Sequence, residues 1–265
     1  MIQLLHGDCR KFMFDGTIET DSIDLTVTSP PYDNLRMYNN SSTWGWAEFC
    51  GVASGLWRVT KPGGVVVWVV GDATIKGSET CVSFKQSLIF KEMGFNLHDT
   101  MIYKKEGPPL SHNRYEQKFE YMFVFSRGKP NTFNGIREKS KGAGQRRTST
   151  MRQDSDLLNS RSAKGCVNES KLKGNVFEYS VGNNCSTKDE IAHKHPAIYP
   201  EQLAYDHIIS WSNEDDTVFD PFMGSGTTGK MTKQLNRNFI GCEIDDEYFQ
   251  IAKERIEAVP ELETA

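Results

Sequence analysis

No stretch of this 265-residue chain approaches the roughly 20 consecutive apolar residues that cross a bilayer, so no membrane-spanning helix is expected. Met1 to Arg10 lacks the basic flank and apolar core of a secretory signal, which makes the cytoplasm the expected compartment. The six cysteines (Cys9, Cys50, Cys81, Cys166, Cys185 and Cys242) show no CxxC spacing, and this speaks against a disulfide framework or a zinc site. His193 and His195 lack a third and fourth ligand at usable spacing, so no metal is expected there either. Internal repeats are missing as well. What remains is an ordinary globular composition, 37% hydrophobic and 25% charged, at a length that buries a sizeable core.

Excess charge is scarce: the net value of −4 argues mildly against a polyanionic partner. Its distribution says more. Between Arg127 and Lys173 lie twelve lysines and arginines against four carboxylates, a basic segment in an otherwise acidic chain. Apolar periodicity disappears over the same stretch, which includes GAGQRRTSTMRQ from Gly142 to Gln153, so residues 127–173 read as an insert or loop.

On either side of it, strand and helix patterns alternate. Ile23 to Thr28 and the near-continuous apolar run Val65 to Val70 read as buried strands, with a helix from Trp44 to Val59 between them. A helix over Thr80 to Met93, capped by Gly94, precedes strands near Asp99 to Lys104 and Phe119 to Phe125. After the insert come Val176 to Val181, a helix from Glu201 to Trp211, a strand Thr217 to Asp220, a helix after Gly226, a strand Phe239 to Glu243, and a last helix from Glu247. This alternation predicts a doubly wound α/β sheet built from residues 1–126 and 174–265, with a frayed tail after Pro260. Trp44 and Trp46, at the start of an amphipathic helix, are expected in the core.

Two turns carry the chemistry. Phe219 to Gly226 (FDPFMGSG) falls where a strand gives way to a helix, and its glycines let backbone approach a nucleotide or nucleoside beside the helix N-terminus. About twenty residues later Glu243 ends the next strand, where a carboxylate accepts hydrogen bonds from ribose hydroxyls. Gly224 to Lys230 (GSGTTGK) also fits most of a phosphate-binding P-loop, but Met231 stands where that loop needs a hydroxyl for magnesium. The second turn, Thr28, Ser29, Pro30, Pro31 and Tyr32, follows a strand. Its prolines keep neighbouring carbonyls out of regular pairing, so Ser29 and the Pro30 carbonyl can accept hydrogens from a planar amine while Tyr32 stacks on its ring.

Together these motifs resemble the S-adenosylmethionine-dependent DNA amino-methyltransferases, whose signature is a (Ser/Asp/Asn)-Pro-Pro-Tyr turn and a Phe-x-Gly-x-Gly turn. The order of the two turns, with the basic segment between them, is similar to the beta class, and the basic segment then takes the place of its target-recognition region. The resemblance implies a Rossmann-like, mostly parallel, seven-stranded methyltransferase sheet. It extends to Leu5 to Cys9 (LHGDC), which gives Asp8 and Cys9 as cofactor-side residues, and to His195 and Pro196 ahead of the glycine turn. Within the glycine turn it implies cofactor contacts from Asp220, Phe222, Gly224, Ser225, Gly226 and Thr227, with Glu243 beyond.

The implied reaction is direct methyl transfer from S-adenosylmethionine to an exocyclic amine of a base flipped out of double-stranded DNA. Ser29, Pro30, Pro31 and Tyr32 form the catalytic turn, and Arg146, Arg147 and Arg152 of the insert are candidate DNA contacts. Ring-carbon methylation would need a cysteine next to a proline, and no cysteine here follows one. Ser29 preceded by Thr28 resembles N4-cytosine enzymes, with N6-adenine the alternative. A P-loop nucleotidase, a non-catalytic DNA-binding module, and an RNA or protein amide substrate stay open beside it. A homodimer follows from the analogy with the beta class.

Overall fold

Val65 to Val70 places six apolar residues in succession, and each is almost wholly buried, as a strand covered on both faces requires. It belongs to the central sheet of the computed structural model, which describes residues 1–31, 44–105, 115–145, 150–151, 161–162, 166–182 and 185–260. The strands of that sheet are β1 (Ile2–His6), β2 (Ile23–Thr28), β3 (Thr60–Val70), β4 (Asn96–Lys105), β5 (Phe119–Ser126), β6 (Val176–Tyr179), β7 (Thr217–Asp220) and β8 (Asn238–Glu243). Their order across the eight-stranded sheet is β1-β8-β7-β2-β3-β5-β4-β6. The first five in that order run parallel, and β5 alone opposes both of its neighbours, while β6 lies parallel to β4. The sheet is therefore doubly wound and mostly parallel, with β6 added to the seven strands expected.

Among the described residues, six α-helices lie between or after these strands: α1 (Cys9–Phe14), α2 (Trp46–Val59), α3 (Val82–Glu92), α4 (Glu201–Trp211), α5 (Thr227–Gln234) and α6 (Asp246–Glu257). Phe49, Val52, Ala53, Leu56 and Val59 recur at helical spacing along α2 and bury its inner face. They join Met13 of α1, Phe90 of α3 and the Val66, Trp68 and Val70 face of β3 in one apolar cluster. Gly55 lets α1 and α2 meet, since a Cβ there would lie 2.7 Å from the Met13 methyl carbon. α4, α5 and α6 pack in succession against β2, β7 and β8. No described helix is long and apolar enough to cross a membrane.

Two boundaries depart from the sequence pattern. The Lys61 to Gly64 stretch, which lies between the expected helix and the expected strand, is part of β3, where the pairing with β2 shifts register between Ile23 and Leu25. Trp46 opens α2 at 48% exposure instead of entering the core, while Trp44 precedes the helix half-buried.

The chain divides into two compact units, residues 1–134 with 175–265, and Gly135–Gly174. Residues 127–134, assigned by sequence to the insert, belong to the first: Arg127 lies 4.8 Å from the Trp57 ring centroid and donates to the Thr60 carbonyl at 2.6 Å. The second unit holds an antiparallel ribbon of Arg137–Lys139 with Ser170–Leu172, and a shorter one of Thr150–Met151 with Arg161–Ser162. A groove of about 450 Å³ in this unit is lined by Arg137, Lys141 and Lys171 together with Asn168, Val167 and Leu172.

Candidate active site

Parallel strands in succession deliver their C-terminal ends to one edge of the sheet, the usual place for a ligand in an open α/β fold. Here that edge collects Gly7 and Asp8 after β1, Glu243 at the end of β8, the glycine turn after β7 and the proline turn after β2.

The glycine turn needs its glycines. Gly224 (φ +50°) and Gly226 (φ +80°) occupy the left-handed region, and a Cβ at 226 would lie 2.9 Å from the Ala252 Cα, so α6 packs directly on that backbone. Gly224 N–H donates to Glu243 Oε2 at 2.8 Å, and the Ile244 and Asp245 amides donate to Oε1 at 2.9 Å each. Burial pushes the Glu243 carboxyl up, and these backbone donors work against it.

Beneath the turn lies Arg255 of α6, almost wholly buried. Its guanidinium donates to the Ser225 carbonyl, to Ser225 Oγ at 3.2 Å and to Thr227 Oγ1 at 3.4 Å. The same group reaches Asp189 at 3.0 Å and Glu201 at 2.9 Å, and Lys230 meets both carboxylates at 2.8 Å. Two cations and two carboxylates thus compensate one another. Burial pushes the Asp189 carboxyl up, but Lys230 and Arg255 outweigh it and leave it below the ordinary value. Lys230, the lysine of the P-loop-like GSGTTGK run, is therefore committed to an ion pair, and Met231 beside it is buried.

Asp8 caps α1 and is gripped by Arg10, whose side-chain hydrogen bonds, the closest at 2.7 Å, hold its carboxyl below the ordinary value. Cys9 is part of the apolar core, where burial drives its thiol well up. His195 is buried edge-on to Tyr248, ring centroids 4.3 Å apart. The Ala197 amide donates to its Nδ1 at 3.1 Å, which leaves the proton of the neutral ring on Nε2, the atom 3.0 Å from where a Gly224 Cβ would sit. Pro196 is exposed, and Phe222 is half-buried with its ring edge-on to Trp44 at 5.1 Å.

On the other side of β7, Thr28 closes β2 and donates to Asp220 Oδ1 at 2.7 Å. The Phe222 amide donates to the same oxygen at 3.1 Å, and Thr228 Oγ1 lies 2.8 Å from Oδ2. Tyr199 hydrogen-bonds Thr228 in turn, its phenol pushed well up by burial and by the Asp220 charge, so it stays a donor. Burial lifts Asp220 to about 6, with the hydroxyls opposing the rise. Ser29 and Pro31 follow half-buried, and Pro30 is buried.

Several expected positions need restating. Asp220, Ser225 and Thr227, read from sequence as cofactor contacts, are buried with their side chains turned to protein partners. Tyr32, Arg146, Arg147 and Arg152 lie outside the described residues. Sequence reading missed Arg255, Asp189, Glu201, Tyr199 and Thr228. Nothing local marks the first four, whereas Thr228 sits inside the Gly-Thr-Thr run and was available as a signal. Among the described residues, no three His, Cys, Asp or Glu side chains cluster to hold a metal ion.

Known proteins of similar sequence and fold identify the family. A profile of the DNA methylase family matches residues 23–254. The chain is 52% identical over 240 residues to the orphan methyltransferase M.BamHII of Bacillus amyloliquefaciens, covering 89% of each. It is 29% identical to the type II methyltransferase M.HpaI of Haemophilus parainfluenzae, over 91% of this chain and 70% of that one. Among solved structures, the M1.HpyAVI–SAM complex aligns with a TM-score of 0.63 at 25% identity, covering 97% of this chain and 99% of that one. The cytosine-N4-specific PvuII DNA methyltransferase shares the fold, with a TM-score of 0.69 at 20% identity over 96% and 86% of the two chains. The chain belongs to the DNA methylase family and is an S-adenosylmethionine-dependent DNA methyltransferase of its N4-cytosine and N6-adenine group.

Proposed function

We propose that this enzyme methylates N4 of cytosine in double-stranded DNA, acting in the cytoplasm on a base flipped into the edge of the sheet between the two turns. The observation that carries the reading is the pairing itself: Thr28, immediately ahead of Ser29, is hydrogen-bonded to Asp220 at the root of the glycine turn. An amine acceptor and a nucleoside cradle are thereby held side by side.

S-adenosylmethionine supplies an electrophilic methyl group on its sulfonium. The chain supplies position. Gly224 and Gly226 give the turn its left-handed backbone, packed on His195 and on Ala252 of α6, and Glu243, with its carboxylate already turned to Gly224, stands where ribose hydroxyls would donate. His195 Nε2–H and Phe222 line the same turn, and Asp8 and Pro196 flank it in this reading. Asp220, Ser225 and Thr227 act from beneath by holding the turn's shape.

Ser29 Oγ and the Pro30 carbonyl accept the two amino hydrogens, which favours a pyramidal nitrogen whose lone pair is free to attack. As the N–C bond would form, the S–C bond would break and S-adenosylhomocysteine would leave, and the methylated nitrogen would give up one of those protons to solvent. Tyr32 provides the stacking ring, as its place in the motif requires. The site uses no thiolate: burial drives the thiols of Cys9 and Cys242 well up, so both stay protonated beside it. Serine at the first position of the turn favours cytosine. Arg146, Arg147 and Arg152, with the basic groove of the second unit, would meet DNA phosphates.

Nucleoside mass spectrometry of unmethylated duplex DNA, after incubation with methyl-labelled S-adenosylmethionine, tests this directly. Label in N4-methylcytosine is expected. Label in N6-methyladenine would keep the geometry and overturn the base, and label in neither would overturn the reading.

A further inference from the structure

We propose that Asp220 is a positioning residue for methyl transfer: its carboxylate fixes the proline turn relative to the glycine turn through Thr28 on one side and Thr228 on the other. This rests on the proposed role of Ser29 to Pro31 as the amine-binding turn.

Strand pairing shows why a link is needed at this point. The ladder between β2 and β7 aligns Leu25 with Val218 and Thr26 with Phe219, and its register goes no further. Thr28 and Asp220 lie beyond it, at the last residue of each strand, where the two turns begin. Past the ladder, the Thr28 to Asp220 hydrogen bond at 2.7 Å joins the strand ends.

A carboxylate has no proton to give, so each bond to Asp220 is donated to it, and the Thr228 proton goes to the nearer, charged Oδ2 at 2.8 Å. Each hydroxyl has one proton to give. Tyr199 donates to Thr228, Thr228 to Asp220 Oδ2, and Thr28 to Asp220 Oδ1, which also receives the Phe222 amide. Only a carboxylate accepts from both threonines at once. An asparagine would keep its oxygen toward Thr28 and the Phe222 amide and present an N–H where Oδ2 stands, so Thr228 would have to turn its proton to the Val27 carbonyl: the Thr28 bond survives and the Thr228 bond reverses. Thr28, Asp220 and Thr228 are all buried, so no water stands ready to replace a lost partner. Phe222 belongs to the glycine turn and Ser29 follows Thr28 directly, so this one side chain sets the distance across which the methyl must travel. Displacement on the order of 1 Å in such a step costs up to about a hundredfold in rate.

The test compares Thr28→Val, which keeps shape and removes the hydroxyl, with Thr28→Ser, which keeps the hydroxyl. Single-turnover methyl transfer should fall about tenfold or more in Thr28→Val and stay within about twofold of wild type in Thr28→Ser. S-adenosylmethionine affinity by calorimetry should stay within about threefold in both, because the bonds from Glu243 and Arg255 to the glycine turn are untouched. In an Asp220→Ala background, where the acceptor itself is gone, Thr28→Val should cost no further rate. Full-rate transfer by Thr28→Val, or equal losses in Thr28→Val and Thr28→Ser, would overturn the inference. Ser29→Ala separates it from the reading beneath: if that variant also transfers at full rate, the turn is not the amine site. If Ser29→Ala is slow and Thr28→Val is not, the coupling alone fails.

Discussion

The glycine turn rests on a buried guanidinium that links Ser225 and Thr227 to Asp189 and Glu201, whereas the proline turn is tied across the sheet by a threonine hydroxyl on a lone carboxylate. The first arrangement is electrically balanced and has several bonds in parallel. The second has its negative charge buried among neutral donors, so it holds position at some expense in stability. A cradle that must keep one shape is built the first way, and a registration bond between two turns is built the second.

Breaking the ionic cradle should have the largest effect. Arg255→Met leaves Asp189 and Glu201 with Lys230 alone and should destabilise the fold by about 3–5 kcal/mol, measured by urea unfolding. A change within ~1 kcal/mol would mean that the pairs contribute little.

Asp220 should show the opposite kind of energetics. Its folded pKa of about 6 lies above its ordinary 3.8, so its contribution to stability is complete below pH 3.8 and is lost as pH rises through about 6. The ionisable groups around it, Tyr199 and Cys242, stay protonated over that range. Relative to Asp220→Asn, the wild-type protein should therefore lose about 2 kcal/mol of unfolding free energy between about pH 4 and pH 7. A difference that stays flat with pH would show that the carboxylate is not held at high cost.

At the small end stands the ribbon of the second unit. Lys171 and Glu138 pair at 2.9 Å with both side chains about half exposed, so Lys171→Ala should alter thermal stability by no more than ~0.5 kcal/mol. If the groove meets DNA phosphates, the same variant should weaken binding and make its salt dependence shallower by about one unit of slope.

Sequence pattern located the framework well where burial is two-sided. β2, α4 and β7 begin and end where the apolar runs and their flanking turns place them, and Gly94 caps α3 in the left-handed region at φ +109°. β1 was less legible because it is an edge strand whose side chains are only partly buried, which weakens the alternation. The site was readable as two motifs but not as a connected structure. Asp189, Glu201 and Arg255 are ordinary polar residues far apart in the chain, and only tertiary packing gives them a common partner. Asp220 illustrates the same limit: the motif marks it as belonging to the glycine turn, but the side to which its carboxylate points depends on Thr28, some 192 residues away.

Ser29→Ala, assayed for single-turnover methyl transfer and for S-adenosylmethionine binding on the same preparation, tests the division of labour between the turns most directly. Transfer should fall on the order of a hundredfold, as expected when a preorganised acceptor is removed, while cofactor affinity stays within about threefold. Equal loss of both would contradict it and make the proline turn a support of the fold.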